Sequence, residues 1–218
     1  MDDGSLARLV AAPAAGDGRA ALAAATAYAR TAAAGSCSVV LVEGLSDQSA
    51  LLTLAARSGR NLSEDGVFVV PMGGATNIGH FLALFGPGGF GVQLAGLCDE
   101  AEEDAFRRGL ERAGLGHGLT RGGLARLGFY VCVADLEDEL IRSLGTAAVE
   151  RLIAGQGELG SFRILCQQPA QRTRTREQQL KRFLGARSGR KAHYGQVLTD
   201  ALDLARVPRP LDRVLTHV

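Results

Sequence analysis

The sequence predicts an α/β fold in which a doubly wound sheet of parallel strands carries helices on both faces. Apolar runs without polar alternation recur between residues 38 and 133, as parallel strands covered on both faces require. Amphipathic helical segments separate these runs, and a βαβ series of this kind winds with right-handed crossovers. The chain has 218 residues, 46% of them hydrophobic, which is enough to bury a substantial core.

The periodicity predicts four strands and four helices in the α/β part. The strands span residues 38–42, 67–71, 92–98 and 127–133, and the helices span residues 47–58, 77–85, 102–113 and 136–144. An Ala-rich helix at 20–34 precedes them, after breaks at Pro13 and Gly16. From about Phe162 onward the pattern becomes helical and basic. We therefore predict an N-terminal helical segment (1–35), an α/β domain (36–160) and a basic helical extension (161–218).

Several protein classes are disfavoured by what the sequence lacks. The four cysteines are widely separated, without a Cys-x-x-Cys pair or a zinc-ligand spacing, so we expect reduced thiols. No apolar stretch reaches the roughly 20 residues of a membrane helix, and no signal-peptide pattern opens the chain. We therefore expect a cytoplasmic protein with no membrane partner. The chain has neither a P-loop nor a Gly-x-Gly-x-x-Gly after its first strand, which disfavours an ATPase or a dinucleotide-dependent oxidoreductase.

The charges are distributed unevenly along the chain, although the net charge is only +1. Residues 1–170 carry 13 basic and 19 acidic side chains, whereas residues 171–191 carry eight basic side chains and one acidic. Such a segment suits a polyanion, because Lys and Arg contacts to phosphates supply sequence-independent affinity. A solvated helix face is the alternative. The predicted nucleic-acid-binding residues are Arg172, Arg174, Arg176, Lys181, Arg182 and Arg190.

Carboxylates follow three of the four predicted strands. Glu43 and Asp47 follow the first strand, Asp99 opens an acidic run after the third, and Asp135 and Glu137 follow the fourth. The carboxyl ends of parallel strands border the ligand crevice, so we expect these side chains to lie close together. Their joint ionisation would be unfavourable without a cation. Oxygen ligands without His or Cys favour Mg²⁺ or Mn²⁺ over zinc, and enough carboxylates could hold two ions on a phosphodiester.

Simpler interpretations exist for most of these residues. Asp47 and Asp135 precede apolar helical repeats and could cap helices, whereas Glu43 ends an apolar run and has no such role. Gly73 and Gly74 follow the second strand and precede a helix. We predict that they let a phosphate approach the helix N-terminus, with a tight turn as the alternative.

Four short motifs together resemble a TOPRIM domain. They are Val-Glu-Gly-Leu-Ser-Asp at 42–47, the glycine pair, the acidic end of the third strand, and Asp-Leu-Glu at 135–137. More narrowly, residues 36–145 resemble the TOPRIM domain of the OLD (overcoming lysogenization defect) endonucleases. The resemblance implies a metal-dependent nuclease acting on DNA, with Glu43, Asp47 and Asp99 holding one Mg²⁺ or Mn²⁺ ion. It also implies that Asp135 and Glu137 serve a second ion and that Lys191 stabilises charge on the phosphate.

The sequence departs from the family pattern at two points. The third strand of the family commonly ends in Asp-x-Asp, but Ala101 stands two residues after Asp99, so Glu102 or Glu103 would have to substitute. Of these, Glu103 is a predicted metal ligand. OLD proteins also carry an ATPase domain, which would here have to be a separate subunit.

Other functions remain open at this stage. A catalytically weakened TOPRIM protein could bind nucleic acid or regulate a separate ATPase in DNA repair or phage defence. Topoisomerase or primase chemistry is less favoured, because no Tyr has the setting of a nucleophile and no primase domains are present. DNA and RNA both fit as substrates, and the Ala-rich N-terminal helix is a candidate oligomer interface.

Overall fold

The computed structural model describes residues 18–31, 37–186 and 189–218. The predicted N-terminal helix is present as α1 (Gly18–Thr31). Residues 32–34 of the predicted helix, and the predicted breaks at Pro13 and Gly16, lie outside the described residues.

Four parallel strands form one sheet. They are β1 (Ser38–Val42), β2 (Val67–Pro71), β3 (Gln93–Asp99) and β4 (Phe129–Cys132), in the order β2-β1-β3-β4. Val42, the last residue of β1, lies opposite Pro71 of β2 and Leu97 of β3. The carboxyl ends of the strands therefore meet along one edge, which confirms the predicted fold class and its consequence for the acidic residues.

Helices connect the strands and extend beyond the sheet. Those within the sheet region are α2 (Leu45–Arg57), α3 (Ile78–Phe85), α4 (Glu103–Arg112), α5 (Arg121–Arg126) and α6 (Leu136–Leu144). They are followed by α7 (Thr146–Gly155), α8 (Leu159–Gln167), α9 (Arg176–Leu184), α10 (Arg190–Asp200) and α11 (Arg209–His217).

Helix α5 was not predicted, because it is only six residues long and contains two glycines. Its N-terminus is capped by Thr120, whose hydroxyl accepts a hydrogen bond from the Gly123 N–H at 3.2 Å. This helix occupies residues assigned to the connection before the fourth strand. Strand β4 is accordingly shorter than the predicted 127–133, and it begins after Gly128, whose φ is 85°.

The core has one layer on each face of the sheet. Alternate residues of β1 serve the two layers, with Val40 facing one and Leu41 the other. The Leu41 layer contains residues of α1, α3, α4 and α5. The Val40 layer contains α2 and α6 together with apolar residues of all the later helices, including Phe183 of α9 and Tyr194 of α10. The C-terminal helices thus share a core with the sheet, while the domain boundaries drawn at residues 35 and 160 stay predictions.

Helix α10 packs lengthwise against α2, the helix that follows β1. Gly195 makes this close approach possible, since a Cβ at this position would lie 2.7 Å from the backbone oxygen of Ser46. The contact joins the basic C-terminal part of the chain to the edge of the sheet where β1 ends. The four cysteines are free thiols, as predicted. Within the described residues, no helix is both long enough and apolar enough to cross a membrane.

Candidate metal centre

Three carboxylates converge at the carboxyl edge of the sheet. Glu43, Asp99 and Glu102 each place an oxygen within 4.8 Å of the other two. Glu43 follows β1 and Asp99 ends the adjacent strand β3, so the parallel pairing of these strands brings them together. Glu102 ends the short 3-10 turn Glu100–Glu102, and its Oε2 atom is buried without a hydrogen-bond partner. A buried carboxylate oxygen without a partner is unfavourable, so this set fits a hard cation.

The glycine pair after β2 fixes the backbone at Glu43. The N–H groups of Gly73 and Gly74 both donate to the carbonyl oxygen of Glu43, at 3.0 and 3.2 Å. Their φ angles of 72° and 125° lie in a region that glycine adopts without strain. Both N–H groups therefore have partners within the protein, and the predicted phosphate contact would require these bonds to break.

Asp47 serves as a helix cap and also forms part of the site. Its carboxylate accepts a hydrogen bond from the Gly44 N–H at 2.9 Å, at the start of α2. Only 7% of the residue is exposed, and this burial, with the Glu137 and Glu43 carboxylates, raises the pKa of Asp47 to about 7 despite the bond from Gly44.

The same crowding acts on two of the clustered acids. Burial, followed by the charges of Asp47 and Glu43, raises the pKa of Asp99 to about 7. Burial and the adjacent Glu43 carboxylate raise the pKa of Glu102 to about 8. Without a bound cation, these groups resist sharing negative charge at neutral pH.

Removing the charge of Asp47 is expected to flatten the pH dependence of stability. In the unfolded chain the carboxyl group ionises near its ordinary pKa of about 3.9, whereas the folded-state pKa is about 7. Between these values the unfolded state holds fewer protons, so the free energy of unfolding falls as pH rises and levels off above pH 7. Asp47→Asn removes this titration. Urea unfolding in EDTA at about pH 5 and about pH 7.5 should show a smaller loss in the variant, and an equal loss would contradict the raised pKa.

Asp135 and Glu137, predicted for a second ion, are paired with lysines. Asp135 caps α6 by accepting the Asp138 N–H at 3.0 Å, and its other oxygen lies 2.7 Å from Lys181 Nζ. Glu137 is 6% exposed, and its Oε1 atom lies 3.3 Å from Lys191 Nζ. Ammonium groups from α9 and α10 thus balance these two carboxylates.

A cleft of about 210 Å³ joins the two groups of acids. Its lining includes Glu43, Asp47, Asp99, Glu137 and Lys191. Lys191 lies in the first turn of α10, one turn before the close contact of Gly195 with α2. Although burial acts to lower it, the pKa of Lys191 is raised, chiefly by Glu137. The structure therefore brings Glu43, Asp47, Asp99 and Lys191 to one site, together with Glu137.

Glu103 lies outside the carboxylate cluster. Its Oε2 atom accepts a hydrogen bond from Arg121 Nε at 2.9 Å. Glu102 is directed to Glu43 and Asp99 instead, because the three-residue period of a 3-10 turn places residues 99 and 102 on one side. The length of this turn is the signal that would have distinguished the two glutamates, and the sequence pattern alone did not reveal it.

The basic segment 171–191 is largely engaged within the protein. Arg176 pairs with Glu150 at 2.6 Å and lies over the Phe162 ring. Arg190 pairs with Glu158 at 2.6 Å and lies over Phe183, with only 9% of its side chain exposed.

The other predicted nucleic-acid-binding residues differ in how free they are. Lys181 is bound to Asp135, and Arg172 donates to the Gln167 carbonyl at 2.9 Å. Arg174 and Arg182 are exposed and have no hydrogen bond or ion pair within the described part of the chain. Charge density in the sequence therefore overstated the number of cations that face solvent here.

Comparison with known proteins agrees with this geometry. Residues 36–100 match the family model for the "Overcoming lysogenization defect protein-like, TOPRIM domain". No curated protein matches the sequence.

Solved structures of the C-terminal regions of two OLD proteins share the fold. The Xanthomonas campestris pv. campestris protein, phased with platinum, is 21% identical, with a TM-score of 0.66 over 84% of this chain and 92% of that one. The Burkholderia pseudomallei protein is 18% identical, with a TM-score of 0.64 over 83% of this chain and 95% of that one. The resemblance seen in the sequence motifs is thereby confirmed: residues 36–100 form an OLD-like TOPRIM domain, on the fold of OLD C-terminal regions.

Proposed function

We propose that this protein hydrolyses phosphodiester bonds of nucleic acid with the help of Mg²⁺ or Mn²⁺. The observation that carries the proposal is the convergence of Glu43, Asp99 and Glu102, with one buried oxygen that lacks a partner. An all-carboxylate set favours Mg²⁺ or Mn²⁺ over zinc. When bound, such an ion would polarise a phosphoryl oxygen and lower the pKa of a water molecule.

The side chains of the cleft have separate roles in this proposal. Glu43, Asp99 and Glu102 would hold the ion, and Asp47 would add a buried negative charge beside them. The ammonium group of Lys191 would stabilise negative charge on the phosphate. Asp135 and Glu137 are candidates for a second ion, for which their lysine partners would have to move away.

The finer assignments are also proposals. DNA is the proposed substrate, RNA fits the same chemistry, and the cytoplasm is the proposed location. A separate ATPase subunit is a proposed partner, because the chain contains no P-loop.

A second candidate function is a binding or regulatory role without cleavage, in DNA repair or phage defence. Two observations favour it. Ala101 stands where the family commonly has a second Asp, and lysines occupy the carboxylates predicted for the second ion.

Plasmid cleavage distinguishes these two functions. Purified protein is incubated with supercoiled DNA in Mg²⁺, Mn²⁺ or EDTA, and metal binding is measured in parallel by calorimetry. We expect nicked or linear product with metal and none in EDTA. Metal binding without product would favour the regulatory role, and product in EDTA would contradict a metal-dependent mechanism.

A further inference from the structure

A second cavity, separate from the acidic cleft, follows the edge strand β4. It has a volume of about 690 Å³ and lies between α5 on one side and α11 on the other. Tyr130 and Val133 lie on its floor, and 49% of Val133 is exposed. Five arginines line it, and we call it the arginine groove: Arg121, Arg126, Arg142, Arg209 and Arg213.

The arginine groove carries positive charge that the protein does not balance. Its one acidic lining residue, Glu139, already pairs with Arg142. Arg126, Arg209 and Arg213 are exposed and form no ion pair or hydrogen bond with any residue that the structure describes. Arg209 and Arg213 are four residues apart on α11, a spacing at which like charges repel. An anionic ligand would relieve this repulsion.

One end of the groove reaches the metal centre. Arg121 donates to Glu103, and its Nη2 atom lies 3.2 Å from Glu100, in the acidic turn that also contains Glu102. Glu139 accepts the Val133 N–H at 2.8 Å, in the segment that leads to Asp135. At the other end, Tyr130 contacts the ring of His217, near the start of β4.

We propose that the arginine groove binds a single nucleic-acid strand and directs it to the metal centre. This inference rests on the proposed function for its substrate class. The arginines contact phosphates, since guanidinium groups bind them with well-defined geometry. The exposed face of Val133 and the ring of Tyr130 provide an apolar surface for the bases. The groove is thus a more open track than segment 171–191, where most of the cations have internal partners.

Binding measured without cleavage tests the groove independently of catalysis. The full chain is titrated in EDTA against fluorescent oligo-dT and oligo-rU, and against a duplex of the same length. Arg209→Gln/Arg213→Gln is compared with Arg151→Gln/Arg163→Gln, which removes the same charge from exposed positions on α7 and α8. Thermal unfolding verifies that both variants fold.

The groove variant is expected to bind single strands at least about tenfold more weakly, with a shallower dependence on salt by about one unit. The control should stay within about twofold of wild type. Equal weakening of both variants would overturn the groove, as would tighter binding of duplex than of single strand. Groove-dependent binding of poly-glutamate without binding of either oligonucleotide would also overturn it, in favour of an acidic peptide.

The same measurements separate the two proposals. Groove-dependent binding by a protein that cleaves nothing in Mg²⁺ or Mn²⁺ would support the groove and reject the proposed hydrolase. Metal-dependent cleavage with binding that is unaffected by the groove variant would do the reverse.

Discussion

Replacing Glu43 with Gln is expected to reduce metal-dependent cleavage by at least about a hundredfold. The amide keeps the size of the side chain but removes one of the three charges that converge with Asp99 and Glu102. The fold should survive, because the bonds from Gly73 and Gly74 go to the backbone oxygen of residue 43 and not to its side chain. The loss should therefore appear in metal affinity and cleavage rate, with little change in thermal stability.

Glu103→Gln is the matched control for this prediction. Glu103 has the same chemistry and follows Glu102 directly, but it is bound to Arg121 outside the cluster. Plasmid cleavage by this variant should remain within about threefold of wild type, and calorimetry should show nearly unchanged metal binding. If Glu103→Gln lost as much activity as Glu43→Gln, the assignment of Glu102 to the cluster would be wrong.

Replacing Gly195 with Ala is expected to destabilise the protein by about 1–3 kcal/mol and to lower cleavage as well. The new Cβ would lie 2.7 Å from the Ser46 backbone oxygen, so α10 would have to move away from α2. Lys191 lies one turn earlier on α10 and would move with it relative to Glu137. The sign is informative, because Ala ordinarily stabilises a helix interior relative to Gly by about 1 kcal/mol.

Urea unfolding and plasmid cleavage measure the two effects of Gly195→Ala. Gly160→Ala, near the start of α8, is the control, because a Cβ there would meet no atom within 4 Å. It should be neutral or slightly stabilising and should leave cleavage unchanged. A Gly195→Ala protein as stable and as active as wild type would show that the contact between α10 and α2 is not tight.

The sequence was sufficient to predict the sheet and its acidic edge. Buried parallel strands produce uninterrupted apolar runs, and parallel strands end on the same edge, so Glu43 and Asp99 could be expected to meet. The choice between Glu102 and Glu103 could not be made, because it depends on whether the turn after β3 has the period of a 3-10 helix.

Long-range pairing was the other feature that the sequence did not reveal. A run of cations shows only that charge is concentrated, whereas the partner of Arg190 is Glu158, which lies on the far side of two helices in sequence. The arginine groove is the opposite case. Its cations are scattered between residues 121 and 213, and only the packing of α5 and α11 on β4 brings them together.

Helix α10 has a consequence for how this chain can change during evolution. Its Tyr194 and Leu198 are each 1% exposed and belong to the core, while Lys191 on the same helix enters the acidic cleft. A lineage that no longer needed cleavage could not delete this helix without also losing the fold. We therefore expect inactive descendants to retain Gly195 and the buried face of α10, and to show their loss of function as point substitutions at Glu43, Asp99 or Lys191.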